Sequence, residues 1–242
     1  ETTGITWASR VKVTDSMGSE TPVMHSCWHD LHMTVWSGTL STQVSLKKEW
    51  KGTIVAVAQP AEEMSKGSGE MIRDGLFSRF PKPDYALCFH VTPDLPAGTV
   101  GYCPGPIMAG VNSVDIKVTG VGGHGAMPHR TIDPVVLSAR IILDYQTIVS
   151  REINPVSPAV VTVGSIHGGT KHNIIPSEVN MQLTIRFFTE DVYKQIVAAL
   201  ERISRGVALA AGLSEDQMPY IRIGDEFTPP VDNDPVLVNT VV

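Results

Sequence analysis

The sequence has no excess of positive charge: 19 Lys and Arg stand against 25 Asp and Glu, a net charge of −6. A nucleic-acid-binding face or an anionic-membrane patch is therefore not expected. No apolar run approaches the roughly 20 residues needed to cross a bilayer. Cysteine is scarce, and the three present (Cys27, Cys88, Cys103) are an odd number that suggests no disulfide framework. Cys88 lies inside an apolar run and reads as core. There is no internal repeat, low-complexity tract or block of like charge. Glu1 stands in place of an initiator Met, so a targeting segment is neither indicated nor excluded and the compartment is left open. What is present is ordinary globular composition, 42% hydrophobic and 18% charged over 242 residues, enough for one large or two modest domains.

One stretch concentrates chemistry. From His25 to His32 the chain carries a thiol, three imidazoles and a carboxylate, in the order His25-Ser26-Cys27-Trp28-His29-Asp30-Leu31-His32. In an extended segment, side chains two apart point the same way, so Cys27 and His29 could hold one ion from one side. Thiolate with imidazole suits zinc and the later first-row divalent metals, not calcium or magnesium. A half-buried Cys among scattered surface histidines satisfies the same stretch.

Residues 1–23 read as loop. Trp36, Leu40 and Val44 recur every fourth residue, which predicts a helix over about 30–47. The apolar runs Gly52–Ala58 and Tyr85–Phe89 read as buried strands, separated by a helix over about 68–77. Helices alternating with such strands predict a mainly parallel α/β sheet, whose sites lie beyond the strands' carboxyl ends. Glu62-Glu63 and His90 occupy that position. Paired acids can divide labour between metal and proton, although two solvated glutamates at a helix start would look the same. His90 by itself equally fits a satisfied buried histidine. Cys27-x-His29, a Glu pair and a histidine, each at an expected site position, are together hard to explain by core packing.

From residue 112 the pattern changes. Val114, Ile116 and Val118 alternate with polar residues as in a half-buried strand. Asp133 caps a helix opened by Pro134 and running to about Val149. Ala159–Ile166 and Val179–Phe187 read as strands, and Thr189 opens a helix that Gly212 stops. Tyr220–Ile223 is a last short strand. The order β-α-β-β-α-β predicts a ferredoxin-like α+β domain over 113–224. It is inserted into a first domain over 1–112, to which 225–242 return.

With these motifs on the page, the chain resembles the peptidase M20 family, in particular its amidohydrolase branch. The resemblance is carried by His25–Asp30, Gln59-Pro60-Ala61-Glu62-Glu63, Met71–Phe77, Leu95–Gly101, Gly122–His129 and Gly168–Pro176. It implies an α/β metallohydrolase domain, incomplete here, with an inserted ferredoxin-like lid and dimerisation domain. The implied activity is cleavage of the amide of N-acyl amino acids, such as hippurate or auxin conjugates. Cys27, His29, Glu63 and His90 would be ligands of two divalent ions (zinc, manganese, cobalt or nickel), and Glu62 the general acid/base. Asp30 could orient an imidazole from behind, and His32 reads as a helix-surface residue without a role. His124 would reach the partner's site in a homodimer formed through 113–224 and stabilise the oxyanion. Asn173 and Arg186 would hold the substrate carboxylate.

Two departures follow from the same comparison. Trp28 stands where the family has Gly, and a positive φ there would strain a Trp. An upstream Asp-x-Asp strand and a further ligand histidine fall outside these residues, which predicts an excerpt of a longer protein. Both departures motivate an alternative: an impaired relative that binds acyl amino acids, or a partner, without cleaving.

Overall fold

The computed structural model describes residues 5, 6, 8–14 and 18–241. In chain order they form β1 (Lys12–Thr14), β2 (Glu20–Pro22), α1 (His29–Ser45), α2 (Ser68–Arg73), α3 (Leu76–Arg79), β3 (Gly105–Met108), β4 (Gly110–Thr119) and β5 (Gly123–His124). There follow α4 (Pro134–Thr147), β6 (Ala159–His167), β7 (Ile174–Ile175), β8 (Glu178–Phe187), α5 (Glu190–Ala210), β9 (Tyr220–Ile223), β10 (Val231–Asn233) and α6 (Pro235–Val241). The chain divides into two compact units, residues 1–58 with 71–101, and residues 59–70 with 102–242. No helix among the described residues is long and apolar enough to cross a membrane.

The second unit follows the sequence pattern closely. β6, β8, β4 and β9 form, in that order, one antiparallel sheet. Along β8 the residues Val179, Met181, Leu183, Ile185 and Phe187 are buried while their neighbours face outward, as a period of two requires. β4 repeats this with Val114, Ile116 and Val118. One face of the sheet is covered by α4, through Leu137, Ile141 and Tyr145, and by α5, through Val192, Ile196, Leu200, Ile203 and Val207. Each such aliphatic side chain contributes about 1.5–3 kcal/mol on burial.

Helix ends are set locally. Asp133 accepts a hydrogen bond from the Val135 N–H at 2.8 Å, and Pro134 occupies the first helical position. Thr189 caps α5 by accepting from the Val192 N–H. Gly212, at φ 83°, ends it. The α4 helix stops at Thr147 and is prolonged by one π turn over Ile148–Glu152, slightly beyond the expected end.

The first unit departs from expectation. Residues 12–14 and 20–22, within the stretch read as loop, pair antiparallel; three-residue strands are too short for periodicity to reveal. The helix expected over 30–47 is α1, yet its apolar stripe is not buried: Trp36 and Val44 are exposed and Leu40 half-buried. The single helix expected over 68–77 is two, α2 and α3, broken at Gly75 with φ 93°. Gly52–Ala58 and Tyr85–Phe89 have no ladder partner among the described residues, and Ile54, Val57, Leu87 and Cys88 are exposed. Every ladder among the described residues is antiparallel, so the parallel sheet expected here is not among them. An apolar run records that burial would be favourable. It does not supply the neighbouring strand that a ladder needs, which is a non-local matter.

Candidate metal centre

The first unit draws three donors together. One ligand atom each of Cys27, His29 and His90 lies within 4.8 Å of the others. The local backbone differs from the extended segment expected. Trp28 is left-handed, at φ 54° and ψ 34°, and α1 begins at the next residue. Its N–H bonds to the His25 carbonyl at 3.2 Å, and its own carbonyl accepts from the N–H groups of Leu31 and His32. A sharp turn into a helix, not a strand, therefore brings Cys27 and His29 to one place. The expected strain at Trp28 is real: a side-chain-bearing residue adopts the conformation that glycine takes freely.

His90 joins them from the end of Tyr85–Phe89. Its Nδ1 lies 2.6 Å from the carbonyl oxygen of Val91. A carbonyl can only accept, so Nδ1 carries the proton. In the neutral ring Nε2 is then left with its lone pair, facing the Cys27 Sγ at 3.3 Å. Donors bound at zinc-like distances to one tetrahedral ion stand about 3.3–3.8 Å apart. The donor set therefore fits a thiophilic divalent cation: soft sulfur, imidazole nitrogen, and a ring already in the ligating tautomer. Cys27 and His29 are half-buried and His90 exposed, which leaves an open side.

His32 is not the helix-surface residue expected. It is half-buried one turn after His29, with ring centroids 5.2 Å apart. It packs on the His90 ring at 4.4 Å and edge-on to Phe89 at 5.4 Å, and its Nε2 accepts the Val91 N–H at 3.1 Å. The signal was present in the sequence as the spacing of three between His29 and His32, which puts both on one helix face. Asp30 is exposed in the first turn of α1.

The Glu62-Glu63 pair lies in the second unit, in a 3-10 turn over Glu62–Met64 flanked by left-handed Ala61 and Ser65. The Gln59 amide closes the turn by donating to the Lys66 carbonyl at 3.0 Å. Gly67, at φ 80°, passes so close that a Cβ would lie 1.8 Å from the Pro60 carbonyl oxygen.

Also in the second unit, the two glycine-rich loops meet. His124 pairs with Ile174 between β5 and β7, and the Gly125 N–H donates to the Asn173 carbonyl at 2.9 Å. Gly122 is needed for the approach, since a Cβ there would sit 2.9 Å from the Ile175 carbonyl oxygen. The Ala126 N–H donates to His124 Nδ1 at 3.1 Å, which leaves the proton of the neutral ring on Nε2, ready to donate. Arg186 is exposed on the uncovered face of β8, paired with Val111 and Val160, and does not join Asn173.

Residues 109–210 match the peptidase dimerisation domain. The chain is 35% identical over 223 residues to an N-acetyldiaminopimelate deacetylase of Leuconostoc citreum, covering 90% of this chain and 55% of that one. It is 34% identical to an N-acetyl-L-cysteine deacetylase of Bacillus subtilis, covering 100% and 54%. Among solved structures, an inferred aminohydrolase from methicillin-resistant Staphylococcus aureus superposes with a TM-score of 0.78 at 31% identity, covering 100% of this chain and 58% of that one. A dinuclear metal-binding peptidase of the M20 family from Bacillus subtilis gives 0.67 at 27% identity, covering 89% and 52%. The chain thus spans about half the length of the curated relatives it matches.

Proposed function

Because the chain belongs to the M20 peptidase family, we propose that it carries most of the active site of a metal-dependent amidohydrolase acting on N-acyl amino acids. The observation that carries this reading is the convergence of Cys27, His29 and His90, with His90 Nδ1 engaged by the Val91 carbonyl and Nε2 facing Cys27. The relatives' names bring N-acetyl amino acids forward as first candidates, ahead of hippurate-like and auxin-conjugate-like compounds.

In this proposal Cys27, His29, Glu63 and His90 hold two divalent ions, zinc, manganese, cobalt or nickel. Such ions supply acidified water and a polarised amide carbonyl. Glu62 takes the proton released as water adds to the carbonyl carbon, and returns it to nitrogen as the C–N bond breaks. His124 donates from Nε2 to the developing oxyanion. Asn173 and Arg186 hold the free carboxylate of the amino acid, the guanidinium matching it as a fork. Residues 113–224 serve as the dimer interface, so that His124 works in a partner's site.

The test is hydrolysis by the full-length protein of a panel of N-acetyl, N-benzoyl and indole-acyl amino acids before and after chelation. Release of free amino acid should fall to background without metal and return with zinc, manganese or cobalt. Turnover untouched by chelation would sink the mechanism. Less than one metal per chain by elemental analysis, with no hydrolysis across the panel, would favour a binding protein instead, the reading to which the strained Trp28 lends some support.

A further inference from the structure

We propose that His32 is a positioning residue that holds His90 in the tautomer and orientation of a metal ligand. The inference rests on the metal-centre reading above and extends it to a side chain outside the donor set. Both polar groups that flank the Val91 residue are engaged by imidazoles. The Val91 N–H donates to His32 Nε2 at 3.1 Å, and the Val91 carbonyl accepts from His90 Nδ1 at 2.6 Å. His32 is anchored on α1, 59 residues away in sequence, so it ties the backbone after His90 to the helix that carries His29. Its ring also lies against the His90 ring, centroids 4.4 Å apart and planes at 64°. One contact holds the His90–Val91 peptide, adjoining the one whose carbonyl selects the proton position, and so restrains Val91; the other fixes the plane of the ring.

Ring packing against Phe89 and His90 does not by itself call for a nitrogen acceptor at His32. The Val91 N–H does need one. Without His32 it loses its acceptor, the Val91 carbonyl is free to turn from His90 Nδ1, and the ring reverts toward the Nε2–H tautomer, which cannot ligate through Nε2. Loss of an outer partner of a ligating histidine weakens metal binding by about 10–100-fold.

The experiment uses the full-length protein, labelled with nitrogen-15 in histidine and valine. In unmutated metal-free protein, a scalar coupling across the hydrogen bond between Val91 N and His32 Nε2 is expected, and His90 should read as the Nδ1–H tautomer. His32→Leu should shift His90 toward Nε2–H and weaken cobalt(II) uptake, followed by the thiolate-to-cobalt absorption band, by about 10–100-fold. His32→Gln, whose amide oxygen can accept from Val91, should restore both. Absence of the coupling, an unchanged His90 tautomer in His32→Leu, or equal losses in the Leu and Gln variants overturns the proposal. An unmutated protein that takes up no cobalt overturns the metal centre itself, while the tautomer measured without metal still decides the part played by His32.

Discussion

Asn173 lies in the loop ahead of β8, whereas Arg186 stands near the far end of that strand. The loop bearing Asn173 packs at the Glu178 end of β8, where Gly168 lies against Val179 and Glu178. Arg186 stands eight residues further along, about 26 Å away in an extended chain. In the proposed site one chain would therefore not bring both groups to a single carboxylate, and a second copy would supply one of them. Asn173→Ala and Arg186→Ala proteins should each be inactive alone. Mixed and reassociated, half of the dimers are hybrids and each hybrid holds one intact site, so about a quarter of the activity should return. No recovery in hydrolysis assays of the mixture would exclude a shared site.

The left-handed Trp28 gives a stability prediction that needs no activity. At an ordinary helix N-cap glycine already outranks alanine, and a left-handed backbone widens that gap. Here Trp28→Gly should be more stable than Trp28→Ala by about 1 kcal/mol, because only glycine escapes the Cβ penalty at positive φ. Chemical denaturation of the pair measures it, and an Ala variant as stable as the Gly variant would remove the strain argument.

Gly67 is the closure of the turn that presents Glu62 and Glu63. A methyl group there meets the Pro60 carbonyl, so Gly67→Ala must displace the turn. Hydrolysis should drop by roughly 100-fold, the scale of a 1 Å misplacement, while hydrogen-exchange protection in β8 and α5 stays as it was. Loss of protection there would instead mark a general folding defect.

In the core of the second unit, the Tyr145 hydroxyl meets Ser204 at 2.5 Å. Burial pushes the phenol up to about 12, with the Ser204 hydrogen bond partly opposing. Unfolded, the same phenol ionises near its ordinary value of 10. The native state therefore holds its proton more tightly. The resulting stability is complete below pH 10 and is lost as the pH rises toward 12, about 3 kcal/mol in all. In urea unfolding across this range, the unmutated protein should lose stability relative to Tyr145→Phe as the pH rises. Parallel curves would show that Tyr145 does not titrate as described.

Much of the second unit was legible because its rules are local. The alternation along β8, the Asp133-Pro134 start of α4 and the Thr189 cap of α5 each depend on residues within a few positions of one another. The first unit was less legible. The apolar runs at 52–58 and 85–89 resemble strands, but pairing depends on a neighbour that composition does not name. The Cys27 and His29 donors were found from residue type and spacing, but in an extended segment; the left-handed Trp28 that unites them runs against intrinsic preference, and only the family's Gly at that position pointed to it.

Residue chemistry by itself therefore determined which atoms can bind a metal, which can donate to an oxyanion, and the order of strands and helices over 110–223. The tertiary structure alone decided which nitrogen of His90 faces Cys27, that His32 has a partner at Val91, and that Asn173 and Arg186 stand apart. The physical reason is separation: Cys27 and His90 are 63 positions apart, and His32 and Val91 are 59. Contacts over such spans are set by how the whole chain closes on itself, not by any window of it.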